Sequence, residues 1–319
     1  MELVLPTPDQ ALPILRALRT AAAGDGPLAQ QERAMLDAAQ EIFGTPHDPD
    51  TLEPISPEAL AAAIQDRRLR WQLVNGMVII SMLDEVVTAD KHARCAAFAA
   101  ALGVELDELK NLRQIADGQL GWLRLDVARR VWLKDHLIEK WRNGGVRWLA
   151  TAIATLKGAL EDTPLATRYR ALGELPEGTV GRVYHDHMRE CGFPLPGERG
   201  STVEPQVIHD ITHLLAGYGT DAEGEILTAA FSAGYRRRDP FTFIFFVVCQ
   251  FHLGLTFSAF APPFTGKFDA RSTFLALRRG AAMNTDISEG WDPWSVMHRP
   301  LDEVRRELGV PPLEPAAAR

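Results

Sequence analysis

The sequence predicts an all-α fold of two helical domains, on three observations. Apolar residues return at three- and four-residue intervals through nearly every periodic segment. No stretch alternates strictly between hairpin-type dipeptides. Ser, Pro, Asp and Gly punctuate the periodic runs where helices start and stop. A chain of 319 residues is also longer than one hydrophobic core usually serves. Pro164, Pro176, Gly173, Gly178 and Gly181 break the helical pattern near its middle, so the domains are set at residues 1–164 and 165–319.

In the first half, Ser56-Pro57-Glu58 supplies an N-cap, a proline at the first helical position and a first-turn acid. One helix is expected to run on from there through "ALAAAIQDRRLRWQLVNGMVIISML". "LDVARRVWLKDHLIEKWRNGG" predicts another, stopped by Asn143-Gly144-Gly145. The same half carries a weak internal repeat. "AAAGDGPLAQQERAMLDAAQEIFG" lies on "ISMLDEVVTADKHARCAAFAAALG", pairing Asp25 with Asp84, Phe43 with Leu102 and Gly44 with Gly103. Each copy has small or apolar residues, an acidic turn, then an amphipathic helix closed by glycine. The acids Asp25, Glu32, Asp84, Glu85 and Asp90 offer oxygen ligands to a divalent cation. The simpler reading makes them N-cap and first-turn acids favoured by the helix dipole. Over roughly residues 10–120 the pattern resembles the TerB-like helical domain of tellurite-resistance proteins.

Bulk properties narrow the function classes. A net charge of -8 and a pI of about 5.6 argue against a surface built to neutralise phosphates, so no nucleic-acid partner is expected. Cys95, Cys191 and Cys249 form no CxxC pair, which fits a reduced cytoplasmic protein. "MELVLPTPDQ" lacks the basic and apolar regions of a signal peptide. Phe241 to Phe264 is apolar over about the ~20 residues of a membrane span, but Gln250 and His252 interrupt it. A central helix buried in the core is expected there, with a single span as the lesser reading.

The chemistry concentrates in "HDITH", residues 209–213. On a helix, His209 and His213 share one face with Cβ atoms about 6 Å apart, which suits two imidazoles on one metal. Asp210 points about 100° away from His209 and is either a third ligand through favourable rotamers or an acceptor that fixes an imidazole tautomer. Gly217 and Gly219 end the helix, and "DAEGEILTAAFSAGY" starts one that folds back, bringing Asp221, Glu223 or Glu225 towards the histidines. An accidental HxxxH on an amphipathic helix is the bland alternative. His185 and His187 flank Asp186 too closely to share a helical face and are expected at the surface or behind the ligands. Arg236 to Asp239 reads as a solvated helix end, with anionic lipid head groups as the lesser option. "WDPW", Trp291 to Trp294, reads as a packed turn.

The full string, His209-Asp210, His213 and, after eleven intervening residues, Glu225, resembles the signature of the ubiquinone-biosynthesis Coq-four family. "LPEGTVGRVYHDHMRECGF" upstream and "FLALRRGAAMNTDISEGWDPWSVMHRPLDEVRRELGVPP" downstream are similar to that family's flanking segments. The likeness spans roughly residues 170–313. It implies that His209, Asp210, His213 and Glu225 hold a divalent metal, zinc or iron. It also implies binding of a polyprenylated quinone precursor and C1 oxidative decarboxylation of the benzoate head group, a metal-dependent enzyme activity. A tail of that kind needs an apolar channel, for which Phe245 and Phe246 are the expected lining, with His252 facing the head group. Simple core packing competes for the phenylalanines.

Two other functions are open to such a sequence. One is a non-catalytic prenyl-lipid scaffold that organises quinone-biosynthesis proteins, cytoplasmic or peripheral at the inner membrane, with a homodimer allowed. The other is a metal-responsive stress module led by the TerB-like half.

Overall fold

A computed structural model describes residues 3–132, 154–155, 157, 159–201, 204–257 and 262–313. The described residues form fourteen α-helices and no β-strand, as the periodicity predicts. The first half comprises α1 (Pro8–Ala23), α2 (Gln30–Phe43), α3 (Pro57–Ala63), α4 (Arg67–Ile80), α5 (Ala89–Leu102), α6 (Asp107–Ala116) and α7 (Leu120–Trp132). The long run after Ser56 is therefore two helices, not one. Asp66 makes the break, because its Oδ1 accepts the backbone N–H groups of Arg68 and Leu69 at 2.8 and 2.9 Å and so starts α4. The predicted stop at Asn143-Gly144-Gly145 lies outside the described residues.

The internal repeat corresponds to α1–α2 and α4–α5. Both copies close on a glycine in the left-handed region, Gly44 at φ 67 and Gly103 at φ 65, where any other L-residue is disfavoured. Their acids meet an internal cation. The buried Lys91 ammonium lies 2.9 Å from Glu32 Oε1 and 2.6 Å from Asp84 Oδ2. Glu32 also accepts the Ala29 N–H at 2.9 Å at the start of α2, the first-turn role the sequence favours.

The second half comprises α8 (Thr163–Arg170), α9 (Val180–Glu190), α10 (Val207–Ala216), α11 (Ala222–Tyr235), α12 (Pro240–Phe251), α13 (Ala270–Ala281) and α14 (Leu301–Glu307). Here α11 is central, packed between α12 and α13. Its backbone comes so near α13 that a Cβ on Gly280 would collide with the Phe231 carbonyl, and one on Gly234 with that of Leu277. The apolar run forms α12, buried along nearly its whole length and ending at His252. No helix among the described residues is long and apolar enough to cross a membrane.

The polar residues of that run are satisfied inside the protein. Gln250 Oε1 accepts the Phe257 N–H at 2.8 Å. His252, fully buried, donates from Nε2 to the Leu83 carbonyl at 3.1 Å and accepts the Phe268 N–H at Nδ1 at 3.4 Å. Both of its ring nitrogens are thus engaged with backbone, and none is left for a substrate head group. Phe245 is closed within the core, and Phe246 meets the Phe257 ring edge-on at 5.8 Å.

Contacts tie the halves together. Thr242 donates to Glu108 at 2.8 Å, Arg271 pairs with Glu41 at 2.8 Å, and Trp71 packs edge-on against Phe241 at 5.4 Å. Buried apolar residues from Ile14 to Leu308 form one contiguous cluster.

Candidate metal centre

Two antiparallel elements build the site. Gly217 caps α10 in the left-handed conformation at φ 77, and Asp221 starts α11 by accepting the Gly224 N–H at 2.7 Å. The turn between them is so short that His213, in the last turn of α10, faces Glu225 in the first turn of α11. His209 lies one turn back on the same face.

The three side chains converge. The Nε2 atoms of His209 and His213 are 3.1 Å apart. Glu225 presents Oε2 to His209 at 3.3 Å and Oε1 to His213 at 3.4 Å. His213 is the inner member with 2% of its side chain exposed, against 32% for His209 and 22% for Glu225. One side of the cluster therefore meets solvent.

The hydrogen bonds behind His213 decide its chemistry. Its Nδ1 lies 2.9 Å from the Gly219 carbonyl, 3.3 Å from the Tyr218 carbonyl and 3.1 Å from Thr228 Oγ1. Carbonyl oxygens only accept, so the proton sits on Nδ1 and Nε2 turns a lone pair towards His209 and Glu225. A lone pair and a carboxylate in one place repel unless a proton or a cation lies between them. A cation fits. With metal bonds of ~2.0–2.1 Å, two nitrogens 3.1 Å apart subtend about 95–100°, the angle of neighbouring ligands on one ion. His209, His213 and Glu225 are the group of ligand-type side chains among the described residues close enough together to hold a metal ion.

The electrostatics of the cluster reflect the same convergence. Burial of Glu225 works to raise its pKa, but the hydrogen bonds and charge of His209 and His213 outweigh it and hold the carboxyl well below the usual range. His209 behaves in the mirror sense. Burial disfavours its charged ring, yet the bond to Glu225, aided by the charges of Glu225 and Asp210, keeps its pKa above the ordinary value.

Asp210 is not brought into the cluster. It stands about 100° around α10 from His209, and its Oδ2 accepts a long 3.5 Å hydrogen bond from the buried Tyr184 hydroxyl. Loss of hydration pushes its carboxyl up to about 6 against the pull of His209 and His213. Of the four ligands expected from resemblance, three converge and Asp210 stands beside them. Asp221 caps α11, and Glu223 points outward to pair with Lys267 at 3.5 Å.

No family model, no curated protein and no solved structure matches this chain.

Several participants were not singled out from the sequence. Thr228 sits one turn beyond Glu225 on α11, a position a helical wheel assigns to the same face. The Gly219 carbonyl leaves no trace in side-chain spacing. Gly224 is visible as a glycine inside a helix start, and its reason is steric. A Cβ there would strike the carbonyl of Gly219, the same carbonyl that fixes His213. His187, expected at the surface or behind the ligands, is half-buried and lies 3.9 Å by Nδ1 from Cys191 Sγ. Cys191 in turn lies 3.7 Å from Thr220 Oγ1 in the turn next to the site.

Proposed function

We propose that this protein is a metal-dependent enzyme acting on a polyprenylated aromatic acid, with His209, His213 and Glu225 holding one divalent ion. The observation that supports it is the convergence of two imidazoles and a carboxylate, with one imidazole locked in its ligating tautomer and one side of the cluster open to solvent. Two histidines and one carboxylate with open positions suit zinc as a Lewis acid and suit iron in oxygen chemistry. When bound, the ion would polarise the substrate carboxylate and stabilise charge beside the carbon that loses carbon dioxide.

The resemblance to the ubiquinone-biosynthesis family suggests the substrate class and the reaction. In C1 oxidative decarboxylation the ring carbon loses its carboxylate as carbon dioxide and gains a hydroxyl oxygen from dioxygen. A two-electron donor reduces the second oxygen atom to water. The chain's own part is to orient the head group and manage protons. Asp210, whose carboxyl burial pushes up to about 6, is the group beside the cluster assigned to take up or release a proton.

Metal content by mass spectrometry on untagged protein, beside a His209→Ala/His213→Ala double variant, tests the binding. Stoichiometric metal lost in the variant while the helical spectrum survives is the expected result. Release of labelled carbon dioxide from a carboxyl-labelled prenylated hydroxybenzoate then tests the reaction. Metal-free wild type, or metal retained by the variant, sinks the metal reading. Bound metal without decarboxylation under air and a reductant leaves the prenyl-lipid scaffold in its place.

A further inference from the structure

His187 and Cys191 stand four residues apart at the end of α9. The helical backbone continues into Cys191 at φ -74 and ψ -7, so the two side chains share one face. The thiol lies 3.9 Å from Nδ1 and 4.0 Å from Nε2 of the imidazole. Across from it, in the α10–α11 turn, Thr220 Oγ1 lies 3.7 Å from the sulfur. All three residues are half-buried, so an ion from solvent can reach them. None of them belongs to the cluster of His209, His213 and Glu225. Among the described residues, the ring nitrogens of His187 hydrogen-bond to no oxygen or nitrogen and meet only the thiol. His213 and His252, by contrast, have both ring nitrogens engaged.

We propose that His187 and Cys191 form a second metal site, for a soft divalent cation of the zinc and cadmium class. The donor set selects that class, because a thiolate beside an imidazole favours soft ions over the hard ones that oxygen ligands hold. The geometry suits it. Bonds of ~2.3 Å to sulfur and ~2.0–2.1 Å to nitrogen at a tetrahedral angle set the two donors about 3.5 Å apart, so the present 3.9 Å must close by about 0.4 Å. Small rotations of two side chains on one helix face supply that. Thr220 Oγ1, at nearly the same separation from the sulfur, offers a weaker oxygen, and water takes the position left. The ring is ready to ligate at neutral pH. Burial, and then the charge of His213, lower its pKa, which leaves it neutral with a free lone pair. On binding, the S–H bond breaks, its proton leaves to solvent and a sulfur–metal bond forms. Sulfur sets this site apart from the first, which offers only nitrogen and oxygen, and neither reading needs the other.

Cadmium chloride titrated into the full chain tests the site through the ultraviolet charge-transfer absorption of a cadmium-bound thiolate. Cys95 and Cys249 are fully buried, so this band reports Cys191. The titration is run on the wild type and on Glu225→Gln, which removes a ligand of the first site. One equivalent is expected to saturate the band in both. Cys191→Ser is expected to remove it, and His187→Gln to weaken cadmium binding about tenfold or more. Circular dichroism confirms that each variant keeps its helices. No band in the wild type, a band surviving in Cys191→Ser, unchanged affinity in His187→Gln, or a band lost in Glu225→Gln would each overturn the proposal. Because the signal requires sulfur on the ion, its presence or absence is independent of whether the first site holds metal.

Discussion

At the scale of single residues, His213 and Asp210 show what separates a ligand from a neighbour. Both belong to the "HDITH" string, and both lie beside Glu225 in sequence-derived expectation. His213 is buried, its Nδ1 hydrogen engaged by the Gly219 carbonyl, so its Nε2 has one direction to face. Asp210 is turned a quarter of the helix away and bonds Tyr184. Asp210→Asn is therefore expected to retain stoichiometric metal, with affinity reduced by no more than the ~10–100-fold typical of residues that only support a ligand. Glu225→Gln, which removes a converging charge, is expected to abolish retention. Competition against a graded series of chelators measures both. Equal losses in the two variants would return Asp210 to the ligand set.

At the scale of elements, the α10–turn–α11 hairpin is the device that assembles the site, and Gly224 is its tightest point. The missing side chain lets the Gly219 carbonyl lie over the first turn of α11, and that carbonyl anchors His213. Gly224→Ala is expected to displace the turn, costing about 1–3 kcal/mol by overpacking and freeing the His213 ring to rotate. Urea unfolding would record the first effect and metal affinity the second. Unchanged affinity would mean that Thr228 and the Tyr218 carbonyl hold His213 without the Gly219 carbonyl.

The hairpin was legible in the sequence because Gly217, Gly219 and the capping Asp221 are local signals. Periodicity leaves Asp221, Glu223 and Glu225 as equal candidates to approach the histidines, and only the family resemblance singles out Glu225. Three further features were not legible. The break at Asp66 was hidden because the apolar period continues across it, and only the cap geometry separates α3 from α4. The commitment of His252 depends on Leu83, 169 positions away, and periodicity carries no information across that distance. Lys91 as the counter-ion for Glu32 and Asp84 likewise requires the packing of α2 against the α4–α5 turn to be known.

At the scale of the whole molecule, the question is whether the halves respond together. Buried apolar residues run without interruption from α1 to α14, and the contacts of Leu83 with His252 and of Glu108 with Thr242 cross the junction inside that core. Opening either half alone would expose the apolar face of α12, together with two polar groups whose partners sit on the other side. Such a molecule unfolds as one unit. Metal at the α10–α11 site then stabilises residues that never approach it, by RT ln(1 + [L]/Kd), about 2.7 kcal/mol at a hundredfold excess over Kd. Hydrogen exchange reads this residue by residue. On metal addition, the amides of Val74 and Met77 on the buried face of α4 are expected to slow by about the same factor as those of α10 and α11, approaching a hundredfold where exchange requires global unfolding. Protection confined to the second half, with two separate unfolding transitions, would show instead that the junction is weaker than its buried contacts imply and that each half carries its own stability.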